Sequence, residues 1–113
     1  MARADMSDEA TELALYIEND AQIYRSMGLP ILKNLTLKKA KGIYIHDKAI
    51  KAFLNLATFG AKNYHREHGS MTTKWEQVFP MKARKEVAEH MTAYFETEYR
   101  LGNFNNLLPK KYQ

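Results

Sequence analysis

Two histidines are the first residues whose type and spacing suggest chemistry. His65 and His68 lie three positions apart, a spacing that places two side chains at neighbouring positions of one helix, where both can bind a transition metal. A complete site needs more ligands, the zinc-protease pattern has its histidines four apart, and the chain contains no cysteine. We therefore expect no metal site and no cofactor, with both histidines exposed near a helix end.

Asp20 is the second candidate, because Tyr16 and Tyr24 flank it at spacings of four. A carboxyl group buried between two phenols would have a raised pKa and could act as an acid or base. Buried charges are usually paired, so we favour a structural ion pair or a position at the edge of the core. No serine lies in a nucleophile motif and the five glycines are dispersed. We expect no catalytic residue, and a protein that is not an enzyme.

Basic side chains form the third candidate group. The net charge is +4, but residues 1–26 carry a net −4 and residues 27–51 a net +5. Lysine and arginine bind phosphates by releasing counterions, and an exposed Tyr44 or Trp75 would let a base stack on it. On the pattern alone, we favour a charged face that only contacts water. If this surface binds nucleic acid or a protein partner, the residues expected to do so are Lys38, Lys39, Lys41, Lys51, Lys62 and Arg66.

These residues must be positioned by helices, because apolar side chains recur every three or four positions along most of the chain. Gly28 and Pro30 are expected to interrupt or kink the helical pattern. Residues 43–45 are too few for a sheet and are expected to form a connector. The predicted helices cover about residues 8–27, 29–41, 48–68 and 80–101, with a short additional helix through Trp75 and Val78.

The third of these helices has the widest apolar arc, which includes Phe59 and Gly60. A glycine in such an arc lets a second helix approach closely. With 113 residues and 45% hydrophobic content, the chain is typical of one folded domain. The sequence therefore predicts an all-α fold, a compact bundle of four to five helices forming a single domain over residues 1–113, with irregular ends at 1–7 and 103–113.

Membrane insertion and secretion are not expected. No apolar run approaches the roughly twenty residues that cross a bilayer. The N-terminus lacks the basic and apolar segments of a secretion signal. We expect a cytoplasmic location and no membrane partner.

Four stretches of the sequence resemble small orphan proteins of tailed bacteriophages and viral metagenomes, over about residues 12–101. They are Leu15-Tyr-Ile-Glu-Asn-Asp20, Lys33-Asn-Leu35 with Lys38-Lys-Ala-Lys-Gly42, Phe59-Gly-Ala-Lys-Asn-Tyr64 and Phe79-Pro-Met-Lys-Ala-Arg-Lys-Glu-Val-Ala88. Such proteins are generally of unknown function, so the resemblance implies no site residue. It implies a setting, a phage protein made in the cytoplasm of an infected bacterium and small enough to act by binding.

The leading hypothesis is a non-enzymatic binding protein, a phage accessory factor that acts on a host or viral protein. Seven Tyr, five Phe and one Trp supply aromatic anchors for such an interface. A nucleic-acid-binding protein that uses a basic helical ridge is the alternative. A homodimer also stays open, since a wide apolar arc can be partly buried against a second copy.

Overall fold

The computed structural model describes residues 6–113, which form an all-α bundle without a strand. The prediction of four to five packed helices is confirmed. Two 3-10 turns, Asn105–Leu107 and Lys110–Tyr112, follow the last helix. The helical elements are α1 (Asp8–Glu18), α2 (Ala21–Ile23), a π-helical turn (Tyr24–Gly28), α3 (Leu29–Ala40), α4 (His46–His68), α5 (Trp75–Val78) and α6 (Met81–Arg100).

The centre of the bundle is the antiparallel pair α4 and α6. His46 at the start of α4 bonds to Glu96 near the end of α6, and Tyr64 near the end of α4 packs edge-on against Phe79, just before α6. Helix α1 packs against both. The fully or nearly fully buried apolar side chains between these helices include Leu13, Ile17, Phe53, Leu56, Val87 and Phe95.

The first helix ends at Glu18, so the prediction of one helix over 8–27 is wrong. The side chain of Asp20 accepts a hydrogen bond from the backbone amide of Ile23 at 2.9 Å and caps a new helical segment. Aspartate is a favoured N-cap because it satisfies amides that have no partner within the helix. The apolar repeat continues through this break, which is why spacing alone did not reveal it.

The predicted interruption at Gly28 and Pro30 is a π-helical turn rather than a break. The amide of Leu29 donates to the carbonyl of Tyr24, five residues earlier, and the chain then continues directly into α3. A proline lacks an amide donor and clashes with the carbonyl four residues before it. The wider π-helical winding accommodates both consequences without ending the helix.

Helix α4 begins at His46, two residues before the predicted start, and ends at His68 as predicted. Gly60 is buried where α1 crosses α4, and a Cβ atom there would lie 2.6 Å from Cγ1 of Ile17. This close approach is the role predicted for that glycine. Phe59 is not in the core, however, since 41% of it is exposed. Helices α1 and α6 cover less of the circumference of α4 than its apolar arc suggested.

The tail after α6 is more ordered than predicted, because its two 3-10 turns fold back onto the bundle. The ring of Phe104 stacks on Phe95 at 5.6 Å, and Leu108 is buried. None of the helices in residues 6–113 contains an apolar stretch of the length that a bilayer requires.

Candidate functional site

The two histidines of the sequence motif contact different neighbours at the end of α4. His65 bonds to the hydroxyl of Thr73 at 3.2 Å, and His68 packs against the rings of Tyr16 and Tyr64. In the part of the chain that the structure describes, no three His, Asp or Glu side chains are grouped so that they could hold a metal ion. Both residues therefore contribute to local packing at the end of α4.

Asp20 caps α2 and is only partly buried, so its carboxylate already serves the backbone. The neighbouring Tyr16 forms the polar contacts at this end of α1, donating to Glu67 at 2.5 Å and accepting from Asn63 at 2.9 Å. Burial, with the hydrogen bond to Glu67, raises the pKa of Tyr16 to about 12. The phenol therefore stays protonated at neutral pH and acts as a donor that joins α1 to α4.

The six predicted binding residues do not form one cluster. Lys51, Lys62 and Arg66 lie exposed along one side of α4, but eleven positions separate the first two, a distance of about 16 Å along the axis. The ammonium group of Lys39 lies over the rings of Tyr44 and Tyr99, 4.5 and 5.7 Å from their centroids. Lys41 is exposed at the end of α3, and Lys38 lines a cavity beside it.

That cavity, the basic groove, has a volume of about 330 Å³. Ile43 and Ile45 are 57% and 51% exposed at its edge, which is unusual for aliphatic side chains. Lys38 and Lys48 are its charged residues, and no acidic residue occurs in the sequence between Asp20 and Asp47. The groove thus combines apolar walls with a positive rim. Its lining residues are Asn34, Leu35, Lys38, Ile43, Ile45, Lys48 and Ala52.

A larger cavity, the apolar pocket, has a volume of about 510 Å³ and lies among α1, α2, the π-helical turn, α3, α4 and α6. Most of its lining residues are aliphatic or aromatic. Glu18 and His90 add polar groups, and their Oε2 and Nε2 atoms are 3.8 Å apart. The sequence did not reveal it because its walls come from six separate elements. The lining residues are Ile17, Glu18, Ile23, Tyr24, Gly28, Leu32, Phe53, Leu56, His90, Met91 and Tyr94.

A third feature, the Glu96 cluster, consists of Tyr44, His46 and Glu96. One oxygen of Glu96, Oε2, accepts a hydrogen bond from the Tyr44 hydroxyl at 2.6 Å and from Nδ1 of His46 at 2.6 Å. Neither cavity is lined by these three residues. A carboxylate that holds one histidine nitrogen can orient a general base, but here its evident role is to tie the α3–α4 connector to α6.

The Glu96 cluster makes stability depend on pH. The hydrogen bond to Glu96 raises the pKa of His46 above its usual 6.5. Burial of Glu96 opposes its ionisation, but the hydrogen bonds from His46 and Tyr44 outweigh this and hold its pKa below 4.5. Both groups are charged between these two pKa values, so we expect the pair to stabilise the fold most at about pH 5–6. That contribution is lost as the pH rises through the raised pKa of His46, or falls through the lowered pKa of Glu96.

Urea unfolding of the wild type and of His46→Gln, measured from pH 5 to pH 8, tests this expectation. The difference in unfolding free energy between them should shrink as the pH rises. In an NMR titration, Glu96→Gln should return the pKa of His46 towards 6.5, whereas Glu98→Gln, a matched change two positions away, should leave it raised. A stability difference that grows towards pH 8 would contradict the assignment.

Comparisons with known proteins identify no relative: no family model, no curated protein and no solved structure matches the chain. Function must therefore be argued from the two cavities and the exposed side chains.

Proposed function

We propose that this protein is a non-enzymatic binding protein whose basic groove receives an acidic, aliphatic segment of a partner protein. The observation that carries this proposal is the pairing of exposed isoleucines with lysines around one cavity. Ile43 and Ile45 are more than half exposed, and Lys38 and Lys48 line the same groove. The resemblance to phage orphan proteins implies a host or viral protein as the partner.

The chemistry of the groove favours an acidic partner over an uncharged one. Two ammonium groups attract a segment with carboxylates, which increases the rate of association and selects against basic partners. Leucine or isoleucine side chains of a partner can cover the exposed isoleucines and remove their apolar surface from water. Such burial stabilises a complex by roughly 25 cal/mol per Å². A segment that alternates acidic and aliphatic residues satisfies both requirements.

Selection of a random twelve-residue peptide library against the purified protein tests the proposal. We expect enrichment of peptides that combine Asp or Glu with Leu or Ile, and weaker binding of these peptides at higher salt. The double substitution Lys38→Glu with Lys48→Glu should lower the affinity for the selected peptides at least about tenfold, which is roughly 1.4 kcal/mol of binding free energy. The double substitution Ile43→Ser with Ile45→Ser should also weaken peptide binding, and this loss of affinity should be the same at low and at high salt.

The matched control is Lys82→Glu with Lys85→Glu, the same change of charge on exposed residues at the start of α6. These substitutions should leave the affinity of the selected peptides within about twofold. The proposal is overturned if the enriched peptides are basic. It is equally overturned if their binding is unaffected by the groove substitutions.

Nucleic-acid binding is the second candidate, and the exposure of Phe59 is the observation that favours it. Phe59 is 41% exposed and lies three and seven positions before Lys62 and Arg66, on the same side of α4. Trp75, which the sequence offered as a stacking platform, is instead flanked by cations, with Lys62 at 5.2 Å and Arg84 at 4.7 Å. Single-stranded nucleic acid is bound without sequence preference where bases stack on an exposed aromatic ring and nearby cations contact the phosphates.

Fluorescence anisotropy of a labelled fifteen-residue oligothymidylate distinguishes this candidate from the first. If α4 binds it, Phe59→Ala and Lys62→Glu should each weaken binding at least about fivefold at low salt, whereas Lys110→Glu should change it little. Absence of binding at low ionic strength would exclude this candidate and leave the basic groove unaffected.

A further inference from the structure

We infer that the basic groove receives helix α1 of a second copy of this chain, so that the protein associates with itself. This inference rests on the proposed function, because it names an occupant of the same groove. Its basis is a second surface, the acidic face of α1, which consists of Asp8, Glu9, Glu12 and Leu15. These residues supply the carboxylates and the aliphatic side chain that the groove requires of a partner.

The acidic face is exposed and lies along one side of α1. Asp8, Glu12 and Leu15 follow one another at spacings of four and three, which places them in one stripe along the helix, with Glu9 beside it. Leu15 is 39% exposed, so an aliphatic side chain lies outside the core on this stripe. An open cleft of about 390 Å³ next to it is lined by Glu12 and Asp20 and by no basic residue. The acidic face is thus the chemical counterpart of the basic groove.

The charges of the two surfaces are not paired within one chain. In the part of the chain that the structure describes, neither Lys38 nor Lys48 forms an ion pair, and neither does Asp8 or Glu9. The two surfaces lie in segments of opposite sign, since the first 26 residues have a net charge of −4 and the 25 that follow have +5. Complementary charges increase the rate of encounter and fix the relative orientation of two proteins. A second copy offers each surface the charge that it lacks.

A chain cannot bring its own α1 to its own groove. The inner side of α1 packs against α4 and α6, and Ile17 lies against Gly60 in the second half of α4. The groove is at the first half of α4, where Lys48 and Ala52 line it. Twelve positions separate Lys48 from Gly60, a distance of about 18 Å along the helix axis. The acidic face can therefore meet a groove only in a second copy.

Self-association should depend on protein concentration and on salt. Two unlike surfaces either pair reciprocally in a dimer or connect copies in a longer series. Sedimentation velocity from about 10 μM to about 1 mM should therefore show a mean mass that rises with concentration. The rise should be smaller at high salt, which screens exposed charges. In methyl NMR over the same range, Leu15, Ile43 and Ile45 should shift, whereas Leu101, which is 66% exposed outside both surfaces, should not.

Two charge-reversed variants, mixed together, test the pairing of the two surfaces. The groove variant carries Lys38→Glu with Lys48→Glu, and the helix variant carries Asp8→Lys with Glu9→Lys. Each variant alone has the same sign of charge on both surfaces, so its self-association should weaken at least about tenfold. In the mixture, the acidic face of the groove variant meets the intact groove of the helix variant. Association should therefore return when the two are combined.

Two double substitutions outside these surfaces are the matched controls. Lys82→Glu with Lys85→Glu, and Glu76→Lys with Glu89→Lys, reverse exposed charges on α5 and α6. Both variants should self-associate within about twofold of the wild type.

Thermal unfolding checks that every variant is folded, because lysines at the start of α1 oppose the helix dipole. If the helix variant does not fold, Leu15→Gln replaces it. This substitution removes the exposed aliphatic group, keeps a good helix former and should also weaken self-association.

Three results would overturn the inference. The first is a wild-type mass that stays monomeric at every concentration. The second is self-association that neither the groove variant nor the helix variant weakens. The third is a mixture of the two variants that associates no more than each does alone. Selection of acidic peptides by the groove would still support the proposed function in all three cases. Its failure would count against that function itself, so the two failures are distinguishable.

Discussion

Replacing Phe95 by alanine is expected to lower the free energy of unfolding by about 3–5 kcal/mol, the usual cost of removing a buried aromatic side chain. Phe95 is fully buried in α6. Its ring lies 5.7 Å from that of Tyr44, 6.1 Å from that of Tyr99 and 5.6 Å from that of Phe104. The substitution therefore removes one side chain that contacts the α3–α4 connector and the C-terminal tail at the same time.

A domain of this size is stable by only about 5–15 kcal/mol, so this loss would bring the protein close to unfolding. Urea unfolding followed by circular dichroism measures it. The control is Tyr94→Ala, the preceding residue, which is 56% exposed and should cost less than about 1 kcal/mol. If Phe95→Ala is too unstable to purify, Phe95→Leu should still lose about 1–2 kcal/mol. Equal losses for Phe95→Leu and Tyr94→Ala would contradict the assigned core.

Gly60→Ala is expected to destabilise the protein by about 1–3 kcal/mol, as overpacking does, although alanine is the better helix former by about 1 kcal/mol. The added methyl group would lie 2.6 Å from Cγ1 and 2.7 Å from Cδ1 of Ile17, so α1 must move away from α4. A loss of stability would thus show the contact between the two helices, whereas a gain would reflect only the higher helix propensity of alanine.

Two comparisons isolate this contact. Gly28→Ala, where the nearest side-chain atom is 3.4 Å away, should change stability by less than about 1 kcal/mol. In the double variant Ile17→Ala with Gly60→Ala, the clash is gone, and the combined loss should be smaller than the sum of the two single losses. Strict additivity would show that α1 does not cross α4 at this glycine.

The long helices could be predicted because each buries one continuous apolar face against its neighbours. Helix α4 ends at His68 and α6 ends at Arg100, within a residue or so of the predicted ends. The break at Asp20 could not be predicted in the same way. The apolar repeat passes through it, and the deciding hydrogen bond from the amide of Ile23 depends on local backbone geometry.

The candidate sites depended even more on tertiary structure. Lys38 was identified from its charge, but its pairing with Lys48 around exposed isoleucines depends on how the connector turns back beside α3. Glu96 lies fifty positions from His46, so no local spacing signals their contact. The wide apolar arc of α4 placed Phe59 in the core, because periodicity cannot show which part of an arc other helices cover.

The π-helical turn at Tyr24–Gly28 contains one residue more than the regular α-helical winding would need over the same length. Deleting a single residue such as Ser26 would therefore let the segment wind as a regular α-helix with the orientation of α3 nearly unchanged, because the wider turn takes in one more residue per turn. Without the wider turn, the extra residue would rotate everything after it by about 100°, and either Leu35 or Thr36, both now buried, would leave the interior. The wider turn thus allows α3, and with it the basic groove, to keep its orientation although the chain carries one surplus residue before it.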